Sequence, residues 1–235
     1  LPVKVKVAVT ASELNDLRVI MSDATAVAAW RSAKLEQIRR TVRLTTEAMC
    51  ATVLTTGSIS WPKQLEGGRT ETYSIDYGDP LTHTLGTKLA ADSKISEVYD
   101  LLVTMEEKIQ MAGVGGSAEF WCGKDVFKVL MDMAQGYLST ADQRMIKVEL
   151  GAGQISIGGY VIHVLNETYP DPSGTWVPKL NAKTLMAVAK DVPGTIWYCA
   201  LDSISANLAA LPLHIVPIQS LDDSSITLIA QSKPV

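Results

Sequence analysis

The sequence predicts an α+β fold, in which long helices come first and short strands follow. Apolar residues recur at helical spacing over residues 23–56 and again over 95–109, and strand-like runs dominate from residue 113 onward. Because helices and strands do not alternate along the chain, this order favours α+β over a parallel βαβ architecture.

Composition and charge limit the classes of protein that fit this chain. Its 235 residues allow one large or two small domains, and 47% apolar against 20% charged residues indicates a folded protein. The net charge of −4 disfavours nucleic-acid binding, which depends on an excess of Lys and Arg. No uncharged run reads as a helix that crosses a bilayer.

A strand with one apolar face is predicted at the start. Lysine, alanine and threonine alternate with four valines that share this face: Val3, Val5, Val7 and Val9. A single strand cannot pair its own backbone groups, so we expect its partner elsewhere in the chain, before Leu1, or in another subunit. We interpret it as an exposed, unpaired strand suited to assembly.

The strongest local signal is a helix over residues 23–56. This stretch contains neither Gly nor Pro, Ser22 or Asp23 can cap its start, and Gly57 can end it. At 1.5 Å per residue the helix would be about 50 Å long. We interpret it as a strut, with Glu36–Arg40 and Arg43–Glu47 as paired charges on its polar side.

A basic stripe follows the polar side of this helix, formed by Arg31, Lys34, Arg39, Arg40 and Arg43. Three interpretations stay open: a solvated face, a charge-paired contact with a neighbouring subunit, and a nucleic-acid-binding stripe. The stripe lacks interleaved exposed aromatic residues, and the net charge of −4 has the wrong sign for the third interpretation.

The middle of the chain predicts a hairpin and a second helix. Gly67-Gly68 separates strand-like runs at 58–61 and 72–77, and a helix capped by Asp92 or Ser93 ends at Gly113. A strand at 118–121 then leads into a helix at 124–135. The remaining predicted strands are interrupted by a Pro/Gly loop at 170–176 and cover residues 145–150, 154–157, 160–165, 184–189, 195–201, 213–218 and 226–230.

No catalytic or metal-binding motif stands out. His83, His163 and His214 are isolated from one another and from carboxylates at ligand spacing. Residues 113–116 are glycine-rich, but they follow a helix and precede a strand, which is the reverse of a phosphate-binding loop. We therefore expect no catalytic residue, no cofactor and no metal site.

The cysteine count predicts neither a disulfide framework nor a zinc site. Cys50, Cys122 and Cys199 are odd in number, widely spaced and set in apolar surroundings. We interpret them as reduced core cysteines in a cytosolic compartment.

The order of these segments resembles the lambda-like major capsid protein E family of tailed bacteriophages. The likeness covers the chain from about Trp30 to its end, and none of its motifs is a catalytic signature. The segments that carry it are RSAKLEQI at 31–38, SIDYG at 74–78, FWCGKDVF at 120–127, IGGYVIHV at 157–164, VPIQS at 216–220 and LIAQSKP at 228–234.

The resemblance implies the tailed-phage major capsid protein fold, with a long spine helix, peripheral and axial domains, and an extended loop. Residues 23–56 would be the spine helix of a peripheral domain formed by 22–112 and about 206–235, and 113–205 would be the axial domain. Residues 1–21 would be the remnant of the extended loop, so we expect a missing segment before Leu1. The candidate subunit-contact residues are Val3, Val5, Val7, Arg39, Arg40, Arg43 and Trp176.

The implied function is that of a major capsid (head) protein of a tailed phage or prophage. Its copies would form pentamers and hexamers and an icosahedral shell around double-stranded DNA, without sequence-specific binding. Scaffolding, decoration and portal proteins would be further partners, and the protein would pass from the host bacterial cytoplasm into the virion. Two alternatives stay open: an encapsulin-type compartment shell, and an α+β enzyme with loop 113–116 or 170–176 as a lid and His163 or His214 facing a carboxylate.

Overall fold

The computed structural model describes residues 3–20, 23–64, 69–140, 145–171, 173–192, 194–219 and 226–234. With 36% helix and 31% strand in separate blocks, the chain has the predicted α+β class. In chain order the elements are β1 (Val3–Val9), α1 (Ala11–Ile20), α2 (Ala24–Thr56), β2 (Ser58–Gln64), β3 (Thr70–Asp76), α3 (Ile95–Met111), β4 (Ala118–Cys122), α4 (Lys124–Thr140), β5 (Val148–Gly151), β6 (Gln154–Ile157), β7 (Tyr160–Val164), β8 (Thr168–Pro170), β9 (Trp176–Pro178), β10 (Leu185–Ala189), β11 (His214–Gln219) and β12 (Ile226–Ser232).

Two compact units, each with its own hydrophobic core, make up the chain. The first unit combines Leu1–Val53, Ser58–Asp76 and Thr195–Val235, and the second combines Leu54–Gly57 and Tyr77–Gly194. The boundaries of these units differ from those of the predicted domains, because the apolar face of α3 shares a core with strands β4 to β7. The peripheral and axial roles of the segments stay predictions.

The first unit contains a three-stranded sheet in the order β1-β12-β11. β1 runs antiparallel to β12, with Val3 opposite Ser232 and Val9 opposite Ile226. The partner of the first strand therefore lies within the chain, and the interpretation of β1 as an unpaired strand is wrong. The long-range pairing leaves β1 at one edge of the sheet.

The long helix α2 is confirmed within one residue of its predicted bounds. The Asp23 carboxylate accepts hydrogen bonds from the N–H groups of Thr25 and Ala26, at 2.8 and 3.3 Å, which makes Asp23 its cap. Its buried residues Ile38 and Val42 face the core of the first unit. The other candidate cap, Ser22, lies outside the described residues.

Hydrophobic periodicity does not predict α1. Its start is nevertheless a capping box: Thr10 N donates to Glu13 Oε2 at 3.1 Å, and Glu13 N donates to Thr10 Oγ1 at 3.3 Å. Glu13 also forms an ion pair with Lys34 of α2. Reciprocal capping and this ion pair hold a short helix whose apolar pattern is weak.

The predicted hairpin consists of β2 and β3, with Ser58 opposite Asp76. The Gly67-Gly68 turn expected between the strands lies outside the described residues. Gly57 ends α2 with φ +73°, and a Cβ there would lie 1.9 Å from the carbonyl oxygen of Gly78. Only glycine fits a left-handed backbone so close to another chain segment.

The second unit is built on a five-stranded sheet in the order β10-β4-β7-β6-β5. β4 and β7 are parallel, and the other neighbouring pairs are antiparallel. α3 and α4 contribute buried residues to the core around Phe120, which is fully buried: Ile95, Val98, Leu102, Leu130, Met133 and Ala134.

The helix and strand boundaries differ from the expected ones at several places. The N-cap of α3 is Lys94, with no side-chain cap, instead of Asp92 or Ser93, because the Ser93 hydroxyl accepts from the N–H of Ala90. Residues 195–201 form only isolated bridges, among them Tyr198 to Pro234, because no continuous strand lies beside them in the described part of the chain. The 170–176 loop joins two short strands, β8 and β9, which the sequence pattern did not predict.

Candidate assembly surfaces

The valine face of β1 packs inside the first unit. Val3 is 8% exposed, and Val5 and Val7 pack against the same cluster as Ile38. The lysines that alternate with them are exposed. Among the described residues no strand pairs with the other edge of β1. The strand therefore offers other chains its lysines and this backbone edge, whereas its valine side chains contribute to the core.

The predicted basic stripe divides into an internal and an outward part. Lys34 is half-buried and ion-paired with Glu13, whereas Arg39, Arg40 and Arg43 are exposed. Arg39 Nη1 lies 3.8 Å from Glu36 Oε2, so Glu36 is paired with Arg39 across one helical turn. An exposed pair of this kind contributes about 0–1 kcal/mol, which leaves the arginines available to other partners.

Trp176 lies at the start of β9, and 63% of its surface is exposed. The preceding loop is fixed by the carboxylate of Asp171, which accepts hydrogen bonds from Ser173 N at 2.8 Å, Ser173 Oγ at 2.6 Å and Thr175 N at 2.9 Å. These bonds, the one from the Ser173 hydroxyl first, hold the pKa of Asp171 below its usual range. The exposed indole of Trp176 thus directly follows the residues that Asp171 binds.

The first unit exposes further apolar side chains that the sequence pattern does not predict. Trp197 is 72% exposed, Ile204 93% and Leu208 62%. Asn207 and Leu208 have φ of +51° and +53°, values that non-glycine residues adopt rarely. Residues 195–201 read as a buried strand, so no sequence signal marked Trp197 as exposed.

Each of the three histidines has a different local environment. The His163 ring stacks on Trp121 with 5.2 Å between ring centroids, and His214 Nε2 lies 3.1 Å from Ser205 Oγ. His83 lies in an exposed loop. Among the residues that the structure describes, no three or more His, Cys, Asp or Glu side chains converge as metal ligands would.

Two groups with raised pKa values have structural explanations. The Tyr160 hydroxyl donates to Glu106 Oε2 at 2.7 Å, and this bond, together with burial, raises the pKa of Tyr160 to about 12. Burial raises the pKa of the Cys122 thiol to about 12, which makes it a poor nucleophile. Cys50 is half-buried, but Cys199 is exposed, so its assignment as a core cysteine is wrong.

An open groove of about 710 Å³ lies in the second unit. It is lined by the start of α3, by the end of α4, and by Met145 and Ile146. The described residues that line it include neither histidine nor cysteine, and neither loop considered as a lid borders it.

In the described residues, no helix combines the length and the apolar character that crossing a bilayer requires.

The fold is similar to that of a solved structure. The crystal structure of a protein described as a candidate capsid protein of a prophage of Escherichia coli CFT073 superimposes with a TM-score of 0.65. The two sequences are 16% identical, and the match covers 99% of this chain and 72% of that chain. At this identity the likeness concerns the fold.

The family of this chain is shown by a match to its sequence. The model of the family described as Phage major capsid protein E matches residues 1–235, and the chain belongs to this family. The resemblance noted in the sequence is thereby confirmed. A search of curated proteins finds no match. The family is one of structural proteins whose copies assemble into the shell of a virion.

Proposed function

We propose that this protein is the main building block of a tailed-phage or prophage head. Many copies form pentamers and hexamers, which close into an icosahedral shell around double-stranded DNA. The observation that carries this proposal is the family match over the whole chain, residues 1–235. In this proposal the protein works by association and not by catalysis.

The net charge of −4 supports this role. A shell that must release its genome gains from low affinity for DNA, and a protein without a positive excess has little electrostatic attraction to phosphate. The chain thus encloses DNA without binding a particular sequence.

Contacts between copies use surfaces that the two units expose separately. The first unit contributes Arg39, Arg40 and Arg43 on α2, together with the open edge of β1, and the second contributes Trp176. Arg and Trp are enriched at protein interfaces, where they supply paired charges and large apolar contacts. In this proposal residues 22–112 and about 206–235 are the peripheral domain, and 113–205 are the axial domain.

Scaffolding, decoration and portal proteins complete the assembly, which takes place in the host bacterial cytoplasm. The test is electron microscopy of the protein produced in bacteria, from its complete gene and with the neighbouring head genes. Uniform shells or capsomers are expected, and DNA inside portal-bearing shells identifies a phage head. Monomers at every protein concentration and salt concentration contradict the proposal, and shells filled with protein cargo favour an encapsulin-type compartment.

A further inference from the structure

Residues 201–210 form a compact loop in the first unit. An antiparallel bridge between Ala200 and Ala210 closes its base. Its tip carries two exposed aliphatic side chains, Ile204 at 93% exposure and Leu208. Exposed apolar groups that lie together on a surface mark a site where another protein binds. The tip of this loop is therefore a candidate contact surface.

The backbone of this loop is ordered before any partner arrives. Leu208 N donates to the carbonyl of Ser203 at 3.3 Å, and Asn207 N donates to the carbonyl of Ile204 at 3.0 Å. Ala206 is buried between these exposed residues and anchors the turn. Asn207 and Leu208 both keep left-handed conformations, and strained backbone of this kind is concentrated at functional sites. Because the tip is preformed, covering it costs little conformational entropy.

The groove of about 710 Å³ in the second unit is a concave surface of matching character. The Tyr137 hydroxyl donates to the Ile146 carbonyl and accepts from Ile146 N, each at 3.2 Å, which joins α4 to the segment that follows it. A Cβ on Gly136, which also lines the groove, meets nothing within 4 Å, so α4 leaves open space there. The other apolar lining residues are Ala91, Ile95, Met133 and Met145. Methionine side chains adapt to the shape of an apolar guest, so the groove suits aliphatic side chains.

We propose that the tip formed by Ile204 and Leu208 of one copy inserts into this groove of a neighbouring copy. The inference rests on the proposed function, which supplies the occupant as a second copy of this chain. Tip and groove are different surfaces, so each contact leaves one free tip and one free groove for further copies. Such head-to-tail contacts close into rings, and pentamers and hexamers are rings.

The charges beside the two surfaces are of opposite sign. The Asp202 carboxylate, two residues before Ile204, is 79% exposed. Lys94 lines the groove where α3 begins without a side-chain cap, and the start of a helix carries partial positive charge. The remaining charges are also opposite: Lys233 lies 3.2 Å from Asp202, and Asp92 lines the groove. Electrostatics therefore favours the same pairing as the apolar contact.

Cysteine cross-linking tests the head-to-tail geometry. We expect Ile204→Cys/Gly136→Cys, in a Cys199→Ser background, to form covalent chains longer than a dimer under mild oxidation, because each copy then links to two neighbours. Ile204→Cys alone in the same background is the matched control, since one cysteine at the tip joins at most two copies. A double variant that gives no product beyond the control overturns the proposal.

Two single variants block one surface each. Ile204→Ser removes the aliphatic group of the tip, and Gly136→Phe fills the groove, so each weakens assembly at least about tenfold. Val19→Ser is the control for the first variant, because Val19 in α1 is 81% exposed and lies outside both surfaces. Gly136→Ala is the control for the second, because a methyl group leaves the groove open. Sedimentation over a range of concentrations measures assembly, and circular dichroism verifies that each variant is folded.

A mixture of the two blocked variants shows whether tip and groove bind each other. Gly136→Phe copies keep an intact tip, and Ile204→Ser copies keep an intact groove. An equal mixture therefore forms a heterodimer through one contact, which neither variant forms alone and which cannot close into a ring. Absence of this heterodimer, or wild-type assembly by both single variants, overturns the proposal.

The inference and the shell proposal can fail separately. Normal shells built from Ile204→Ser copies refute the inference alone. Head-to-tail chains of the wild type that never close into capsomers, viewed by electron microscopy, refute the shell proposal alone.

Discussion

The carboxylate of Glu106 joins three elements of the second unit. Its Oε2 accepts from the Tyr160 hydroxyl at 2.7 Å, and its Oε1 accepts from the N–H of Ala118 at 3.1 Å. Glu106 thereby connects α3 with β7 and with the start of β4. Glu106 therefore has a specific bonding role in this unit.

Tyr160→Phe is expected to lower the free energy of unfolding by about 1.5–3 kcal/mol, because it removes one hydrogen bond to a charged group. Urea denaturation measures the change. Tyr169→Phe serves as the control, since in the described residues its hydroxyl has no hydrogen-bond partner. Equal losses in both variants contradict a specific role for the Glu106 bond.

Alkaline pH is expected to weaken the fold through the same residue. The pKa of Tyr160 is raised to about 12 in the folded protein, so the folded state holds this proton more tightly than the unfolded chain, where the pKa of tyrosine is about 10. The stabilisation is complete below pH of about 10 and disappears as the pH rises from there to about 12. Ultraviolet titration of Glu106→Gln tests the cause: the tyrosinate absorbance of Tyr160 then develops closer to the ordinary pKa.

Among the elements, α2 depends on glycine where it ends. The carbonyl of Gly57 accepts from Tyr77 N at 2.8 Å, and its Cα faces the carbonyl of Gly78. The backbones of Gly57 and Gly78 approach each other so closely that a side chain on Gly57 would not fit between them. The end of the helix is therefore set by a tertiary contact as well as by the helix-stop signal in the sequence.

Gly57→Ala is expected to destabilise the protein by at least about 2 kcal/mol, because it combines a left-handed backbone with a steric clash. The matched control is Gly136→Ala in α4, where a Cβ meets nothing within 4 Å. That substitution is expected to stabilise by about 0.5–1 kcal/mol, since alanine is the better helix former. Thermal unfolding of both variants measures the difference, and similar shifts in the two contradict the close approach at Gly57.

For the molecule as a whole, function depends on which surfaces stay open after folding. Val3, Val5 and Val7 fill the core of the first unit, whereas Trp176 and the arginines of α2 remain exposed. A shell subunit needs such open groups, because its contacts are completed by other copies. Trp176 is exposed beside residues whose backbone groups are hydrogen-bonded to Asp171, an arrangement that lowers the entropy that association costs.

Trp176→Ala is expected to reduce assembly by about 30-fold or more in association constant, the effect of losing an aromatic anchor at an interface. Light scattering of the assembling protein measures the effect, and an unchanged urea midpoint shows that the fold is intact. Trp176→Tyr keeps an aromatic ring and retains most of the assembly. If Trp176→Ala assembles as well as the wild type, Trp176 is not a contact residue.

Local signals predicted the elements whose causes are local. Asp23, the apolar stripe through Ile38 and Val42, and Gly57 together define α2, and each acts within a few residues of chain. Where a segment depends on distant partners, the pattern failed: residues 195–201 are as apolar as a strand but have only isolated bridges. α1 had a local signal, the capping box at Thr10, which hydrophobic periodicity does not register.

The sequence by itself determined the α+β class, the long helix and membership of the capsid family. Only the tertiary structure decided that β1 pairs with β12 and that the valines of β1 point inward. The physical reason is that periodicity shows which residues share a face of an element. What covers that face depends on contacts between segments far apart in the chain, which no local pattern specifies.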